Sequence, residues 1–237
     1  MDGIVVIDKP EGLTSHDVCA RVKRALGCLR VGHTGTLDPI ATGVLPLLLD
    51  GATKWANRFA TDEKEYLVTA AFGVATTTYD REGTVAGRYP VPSDLLDRVM
   101  AALPQFTGTL AQIPPPFSAV KHRGKPLYWW ARQGIQVAVP PRSVEIRSIA
   151  LVPTADGAPD DPASLDLHIC CSKGTYIRSL VHDLGSAIGC GAMVLRLRRL
   201  RSGTFGLDVA HQLETVCADR IGGADKFLYK KNGDVIA

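Results

Sequence analysis

At 237 residues, with 46% hydrophobic and 22% charged side chains, the sequence has the make-up of a globular protein with a substantial core, which excludes a disordered or collagenous chain. A formal net charge of +3 is too small to name a partner, so the distribution of charge has to carry that argument. No apolar run approaches membrane-spanning length, the amino terminus lacks the cationic-then-apolar order of a signal peptide, and six cysteines stand without a Cys-x-x-Cys pair or zinc spacing. Reduced thiols in a cytoplasmic protein are therefore expected, in one domain or one with a small appendage.

Gly3 to Ile7 is a short β-branched run stopped by Asp8-Lys9-Pro10, which predicts a strand ending in a turn and puts Lys9 where functional loops gather. Thr14-Ser15 are capping residues, and Val18, Val22, Ala25 and Leu26 follow at helical spacing before Gly27, so an amphipathic helix with a glycine stop is expected. His16 lies in its first turn and is read as an ordinary exposed histidine in preference to a phosphate contact.

The stretch from Gly32 to Leu49 delivers one carboxylate, Asp38, from a loop rich in Gly and Thr, ahead of an apolar run from Val44 to Leu49 long enough for a buried strand. The glycines and the Asp38-Pro39 step predict a shaped loop. Asp38 is either a turn residue capping a backbone amide or a nucleophile or acid-base group at the mouth of the strand, and an Asp-Pro pair taken alone favours the turn.

Beyond this loop, Ala52 to Ala60 predicts a short helix. Glu65 to Phe72 alternates as a strand with Tyr66, Val68, Ala70 and Phe72 on one face, where Tyr66 taken alone is a core aromatic. Ser93 opens a helix expected to bury Leu96, Val99, Met100 and Leu103. Between Ile113 and Arg147 the character changes: three prolines are followed by Lys121, Arg123, Lys125, Arg132, Arg142 and Arg147, with Phe117, Tyr128, Trp129 and Trp130 interleaved and Glu145 the lone acid. Basic and aromatic residues together suit a surface that grips phosphates and stacks on bases, and they equally suit a solvated basic loop anchored by its rings.

Ser143 to Val152 and Ala163 to Ser172 predict strands joined by an acidic, solvent-facing loop, ADGAPDDPA. Gly174-Thr175 then starts a helix with Ile177, Leu180, Val181, Leu184 and Ile188 as its buried stripe. Arg178, near the start of that helix, gains nothing from the helix dipole and calls for an anionic partner. Gly191 to Phe205 predicts a strand whose Arg196, Arg198, Arg199 and Arg201 face no acid in the local sequence, read as a phosphate-binding edge with aggregation-blocking charges as the rival. Asp208 to Val216 predicts a last helix, and Phe227 to Ile236 a short apolar end with a turn.

Five blocks, GIVVIDKPEGLTSHD at 3–17, GHTGTLDPIATGVLP at 32–46, KEY at 64–66, PPPFSAVKHRGKPLYWWARQGI at 114–135 and GTYIRSLVHDLG at 174–185, resemble the tRNA pseudouridine-55 synthases in the order that family has them. The resemblance implies an α+β pseudouridine synthase fold, a mixed and mainly antiparallel sheet flanked by helices with a central active cleft. It also implies isomerisation of a T-loop uridine of tRNA by base flipping and aspartate-dependent cleavage and re-formation of the glycosidic bond. On it, Asp38 acts at the ribose as nucleophile or base, Tyr66 stacks on the uracil and helps remove its C5 proton, and Arg178 pairs with Asp38. Lys9 and Tyr176 line the pocket, His33 supports the distorted RNA, and Lys121, Arg123 and Arg132 belong to a tRNA-clasping insertion at about 113–143, mobile without RNA. No metal or cofactor is implied, the partner is the T-arm of tRNA, and a cytoplasmic monomer is expected. Two departures stand out: too few residues follow Phe205 for a complete C-terminal RNA-binding module, and Phe117 stands where the family often has Tyr.

Overall fold

The structure, a computed structural model, describes residues 2–59, 63–153, 163–218 and 228–229. The chain divides into two compact units, Met1–Tyr66 with Leu197–Ala237, and Leu67–Arg196. The first therefore gathers both ends of the chain and the second is contiguous. Strand pairing is mixed and mainly antiparallel, as expected of an α+β fold.

In the first unit the strand Gly3–Lys9 pairs antiparallel along its whole length with Ala41–Leu49, Lys9 opposite Gly43 and Gly3 opposite Leu49. Val31–His33 pairs antiparallel on the other side of Ala41–Leu49, and Leu197–Arg199 pairs parallel with Ala41–Gly43. Ile4, Val5, Val6 and Ile7 are all fully buried, so this strand is covered on both faces, which is why its sequence runs apolar without alternation. One face packs Ile4, Val6, Val44 and Leu48 against Phe59, Phe205 and Tyr229, with the Phe205 ring centroid 5.9 Å from each of the other two rings. Burying each aliphatic side chain there contributes about 1.5–3 kcal/mol.

The helix Ser15–Leu26 starts and stops where the sequence says it should. Thr14 accepts from the Asp17 amide while Asp17 accepts from the Thr14 amide, a reciprocal capping box, and Gly27 closes the helix at φ +66°. The predicted helix after the Asp38 strand is a 3-10 turn, Asp50–Trp55, continued by Ala56–Phe59. The predicted last helix is shorter than expected: Leu207–Val209 is a 3-10 turn, and Leu213–Ala218 is helical after a two-residue strand.

The second unit holds a sheet in the order Leu67–Phe72, Ser164–Cys171, Arg142–Val152, Gly108–Gln112, with the last two pairings antiparallel. The helix Ile177–Ile188 buries Ile177, Leu180, Val181 and Leu184 as predicted. The helix Leu95–Ala102 corrects the expectation: its buried face is Leu95, Val99 and Ala102, while Leu96 and Met100 are exposed. Neighbouring apolar residues offered two helical stripes, and packing selected the other one.

The row of arginines is corrected too. Arg198 makes a two-pronged bond to Asp8, at 2.8 and 3.1 Å, and Arg201 bonds Glu65 at 3.1 Å. Arg199 is buried, so three of the four are engaged by the protein itself and do not form a free phosphate-binding edge. All six cysteines are free thiols. The acidic loop expected near 155–163 lies outside the described residues save for Ala163, as does the expected end at 227–236 save for Leu228 and Tyr229. No helix among the described residues is long and apolar enough to cross a membrane.

Candidate active site

Asp38 lies in the connection between Val31–His33 and Ala41–Leu49, two strands paired with each other, His33 opposite Leu47. Its neighbours on both sides are tied to other parts of the first unit. The Leu37 amide donates to the Ser15 hydroxyl at 2.8 Å, and that hydroxyl donates to the Leu37 carbonyl at 3.2 Å, so one buried side chain at the start of a helix satisfies both backbone groups of Leu37. The Pro39 carbonyl accepts from the Gly12 amide at 2.9 Å and from Lys9 Nζ at 3.3 Å, and the Asp38 carbonyl accepts from the Ala41 amide at 3.0 Å. Moving this loop would strand buried polar groups at a cost of about 1–3 kcal/mol each, so half-buried Asp38 is presented from a fixed backbone. The shaped loop expected from the glycines and Pro39 is thus present, held by side chains that the local pattern did not reveal.

Lys9 is fully inside, its ammonium donating to the carbonyls of Pro10 and Pro39. It belongs with the Asp38 loop, as its place at a strand end suggested. His33 is half-buried with Nδ1 enclosed and without a hydrogen-bond partner. Burial pushes its imidazole below the ordinary histidine value, and the charges of Arg199 and His16 add to the effect, so the ring is neutral near pH 7. Tyr66 is buried in the strand Lys64–Phe72, on the alternating face predicted for it.

Arg178 and Tyr176 lie in the second unit. Arg178 is the second residue of its helix and is buried. Nη1 donates to the Thr78 carbonyl and Nη2 to the Phe117 carbonyl, both at 2.9 Å, and the Asp80 carboxylate stands 3.5 Å from Nη1. The anionic partner that the helix-dipole argument required is therefore present as Asp80. Asp80 is itself organised: Oδ1 accepts from the Thr78 hydroxyl and the Glu82 amide, and its backbone bridges Val194. Removing one member of a buried pair of this kind costs about 3–5 kcal/mol. Sequence reasoning passed over Asp80, which stands about a hundred residues from Arg178. It also passed over Gln112, whose side-chain amide grips both backbone groups of Tyr176, at 2.8 and 3.0 Å.

Next to Asp80 in the chain, Tyr79 takes a left-handed backbone, φ +65°, and its ring stacks on His182 with centroids 3.8 Å apart and planes 7° from parallel. Burial pushes His182 below the usual histidine range, and burial with the nearby Asp183 pushes Tyr79 up. The corner that carries Asp80 is thus joined to the helix that carries Arg178 at two levels.

The basic segment has its own architecture. Lys121–His122 pairs with Lys125–Pro126 across Arg123-Gly124, both at positive φ, and the helix Leu127–Ala131 follows. The guanidinium of Arg132 lies over the Tyr128 ring at 5.3 Å and the Lys125 ammonium over the Trp129 ring at 5.4 Å. Trp130 donates from its indole to the His122 carbonyl at 3.3 Å and meets Trp129 edge-on at 4.8 Å. Lys121, Arg123 and Arg132 are exposed, and Tyr128 and Trp129 are 40% and 38% exposed. Cations and open aromatic faces are presented together, as a surface that stacks on bases and contacts phosphates requires.

The chain as a whole is similar to known proteins. The profile described as "TruB family pseudouridylate synthase (N terminal domain)" matches residues 23–177, and that described as "tRNA pseudouridylate synthase B C-terminal domain" matches 178–225. The chain is 48% identical over 216 residues to the tRNA pseudouridine synthase B of Syntrophus aciditrophicus, spanning 91% of this chain and 67% of that protein. It is 44% identical over 213 residues to the tRNA pseudouridine synthase B of Chromobacterium violaceum, spanning 90% of this chain and 67% of that one. Among solved structures, a Cbf5-Nop10-Gar1 complex matches with TM-score 0.69 at 30% identity, over 91% of this chain and 54% of the matched one. An H/ACA RNP bound to a substrate RNA containing 2'-deoxyuridine matches with TM-score 0.65 at 28% identity, over 91% and 52%. The chain thus spans about half the length of these matched structural chains.

Proposed function

The chain belongs to the TruB family of pseudouridylate synthases, and on that premise we propose that it converts the uridine at position 55, in the T-loop of tRNA, to pseudouridine. The observation that carries the reading is the Asp38 loop: a carboxylate is held on a backbone fixed at Leu37 and Pro39 by buried side chains, as a group that must meet a flipped nucleotide with little tolerance needs to be. Asp38 acts at the ribose, as nucleophile at the anomeric carbon or as base at the neighbouring position. Tyr66 stacks on the uracil and assists loss of the C5 proton. Arg178 is the third member of the catalytic set, its guanidinium held by Asp80 and by the carbonyls of Thr78 and Phe117.

Lys9 and Tyr176 line the pocket, and neutral His33 supports the distorted RNA beside the vacated base. Lys121, Arg123 and Arg132 hold T-arm phosphates while the neighbouring aromatic rings take exposed bases, which offsets the few kcal/mol of unstacking. The residues assigned to the chemistry are a carboxylate, a phenol and a guanidinium, so the reaction runs without metal or organic cofactor. The enzyme works as a cytoplasmic monomer.

The test is Asp38→Asn, which keeps side-chain size and turn chemistry while removing the charge. The expected variant folds, binds tRNA and fails to release hydrogen label from C5 of the target uridine in a single turnover. Near-normal release would overturn the assignment.

A further inference from the structure

Arg199 is among the largest fully buried side chains of the first unit, with 1% of its surface exposed. A guanidinium taken out of water ordinarily sits against a carboxylate. Its hydrogen bonds here go to backbone carbonyls: Nε donates to Val44 at 2.7 Å and Nη2 to Gly35 at 3.1 Å. Those two carbonyls stand on either side of Asp38 in the chain, one in the approach to the loop and the other in the strand that leaves it. The same arginine meets Gly43 through its backbone, Arg199 opposite Gly43 in the parallel pair. A Cβ on Gly43 would lie 2.1 Å from the Arg199 carbonyl oxygen, and Gly43 adopts φ +101°. Fork and backbone of one residue therefore touch the loop at Gly35 and the strand leaving it at Gly43 and Val44.

We propose that Arg199 is a positioning residue for Asp38, a rigid buried fork that sets the separation of the two loop arms and so the place of the carboxylate. The inference rests on Asp38 being the catalytic carboxylate of the reading above. Three features distinguish it from a core filler. A planar guanidinium presents its donors at a fixed separation and in fixed directions, whereas an apolar side chain offers none and a lysine ammonium is one compact head whose donors rotate. The acceptors are backbone carbonyls, one on each side of Asp38, and not an ion-pair partner, so the charge is spent on backbone geometry. The same charge also depresses the His33 imidazole, which sits on the strand entering the loop.

The test is Arg199→Lys, which keeps a positive charge and loses the fork, measured by single-turnover label release at saturating tRNA alongside tRNA affinity and thermal melting. The expected result is a folded protein whose affinity stays within about threefold and whose rate at saturation falls roughly a hundredfold, the size of effect that follows from displacing a reacting group by about an ångström. A purely structural arginine would instead lower the melting temperature and leave the folded fraction turning over normally. Arg199→Met is measured beside it, because replacing a buried charge by an apolar residue of similar volume is often tolerated by the fold; it too should bind and fail to turn over. Folded variants with near-normal rates overturn the proposal, and so does failure of both to fold, which would make Arg199 part of the core. Asp38→Asn in the same assay separates the two ideas: an active Asp38→Asn refutes the catalytic assignment, whereas an inactive Asp38→Asn beside an active Arg199→Lys refutes the positioning role alone.

Discussion

The Asp38 loop and the basic segment around Arg123 use polar groups in opposite ways. The loop's ties come from far along the chain: Ser15 reaches across 22 residues to Leu37 and Lys9 across 30 to Pro39, and the groups that make them are buried. The basic segment around Arg123 makes short-range ties, with the Trp130 indole reaching back 8 residues to His122 and Lys125 and Arg132 each resting on a ring of the short helix. Buried ties are costly to break and fix a backbone, while exposed cation-ring contacts are worth about 0.5–1 kcal/mol and exchange readily for a base or a phosphate. A site that performs chemistry calls for the first kind of holding, and a surface that accommodates a large flexible ligand calls for the second.

Replacing Lys121, Arg123 and Arg132 together by alanine tests the second half of that contrast and carries the largest expected effect. Affinity for tRNA should fall by up to about a hundredfold at 0.15 M salt, with the slope of log affinity against log salt reduced by up to about 3. Melting should move little, because surface charges rarely matter by more than about 0.5 kcal/mol. An unchanged slope in filter binding across a salt series would make the three residues a solvated face.

Ser15→Ala tests the first half. It leaves the buried backbone of Leu37 without its partner and should cost about 2 kcal/mol of stability, read by urea unfolding, while the salt slope stays that of the unaltered protein. If stability is unaffected, the loop is not held as described.

The smallest effect concerns His33. Its imidazole sits below the ordinary histidine value of about 6.5 because burial, then Arg199 and His16, disfavour its charged form. Between the ordinary value and the depressed one the unfolded chain binds a proton that the folded protein refuses. The stabilisation is therefore complete above about pH 6.5 and is lost as pH falls through the folded value. His33→Phe should flatten that part of the stability-pH curve, measured by unfolding between pH 7.5 and 5. A curve that keeps its slope would place the titration elsewhere.

How far the sequence was legible follows the same division. The helix behind Thr14 was readable because the capping box and Gly27 act within a few residues of the structure they make. Tyr66 and its strand were readable from alternation. The engagement of Arg198 was not, since Asp8 lies 190 residues away and no window of sequence contains both. Asp80 was missed for the same reason, standing about a hundred residues from Arg178. On the helix of Leu95 the difficulty was different: two adjacent apolar stripes satisfied the periodicity equally, and packing alone could choose. The motif blocks pointed to the candidate site because each packs its telling residues into a short run, while the groups that hold those residues are spread along the chain.

The clamp on the Asp38 loop also has a timetable. Arg199 follows Val44 by 155 residues and Gly35 by 164, so a ribosome adding about 5–20 residues per second makes the loop roughly 8 to 30 s before it makes the fork that bridges it. The second unit, Leu67–Arg196, is one uninterrupted stretch and is synthesised entirely within that interval, free to fold as its residues emerge. The nascent chain therefore carries its Asp38 loop without that clamp while the whole second unit is made.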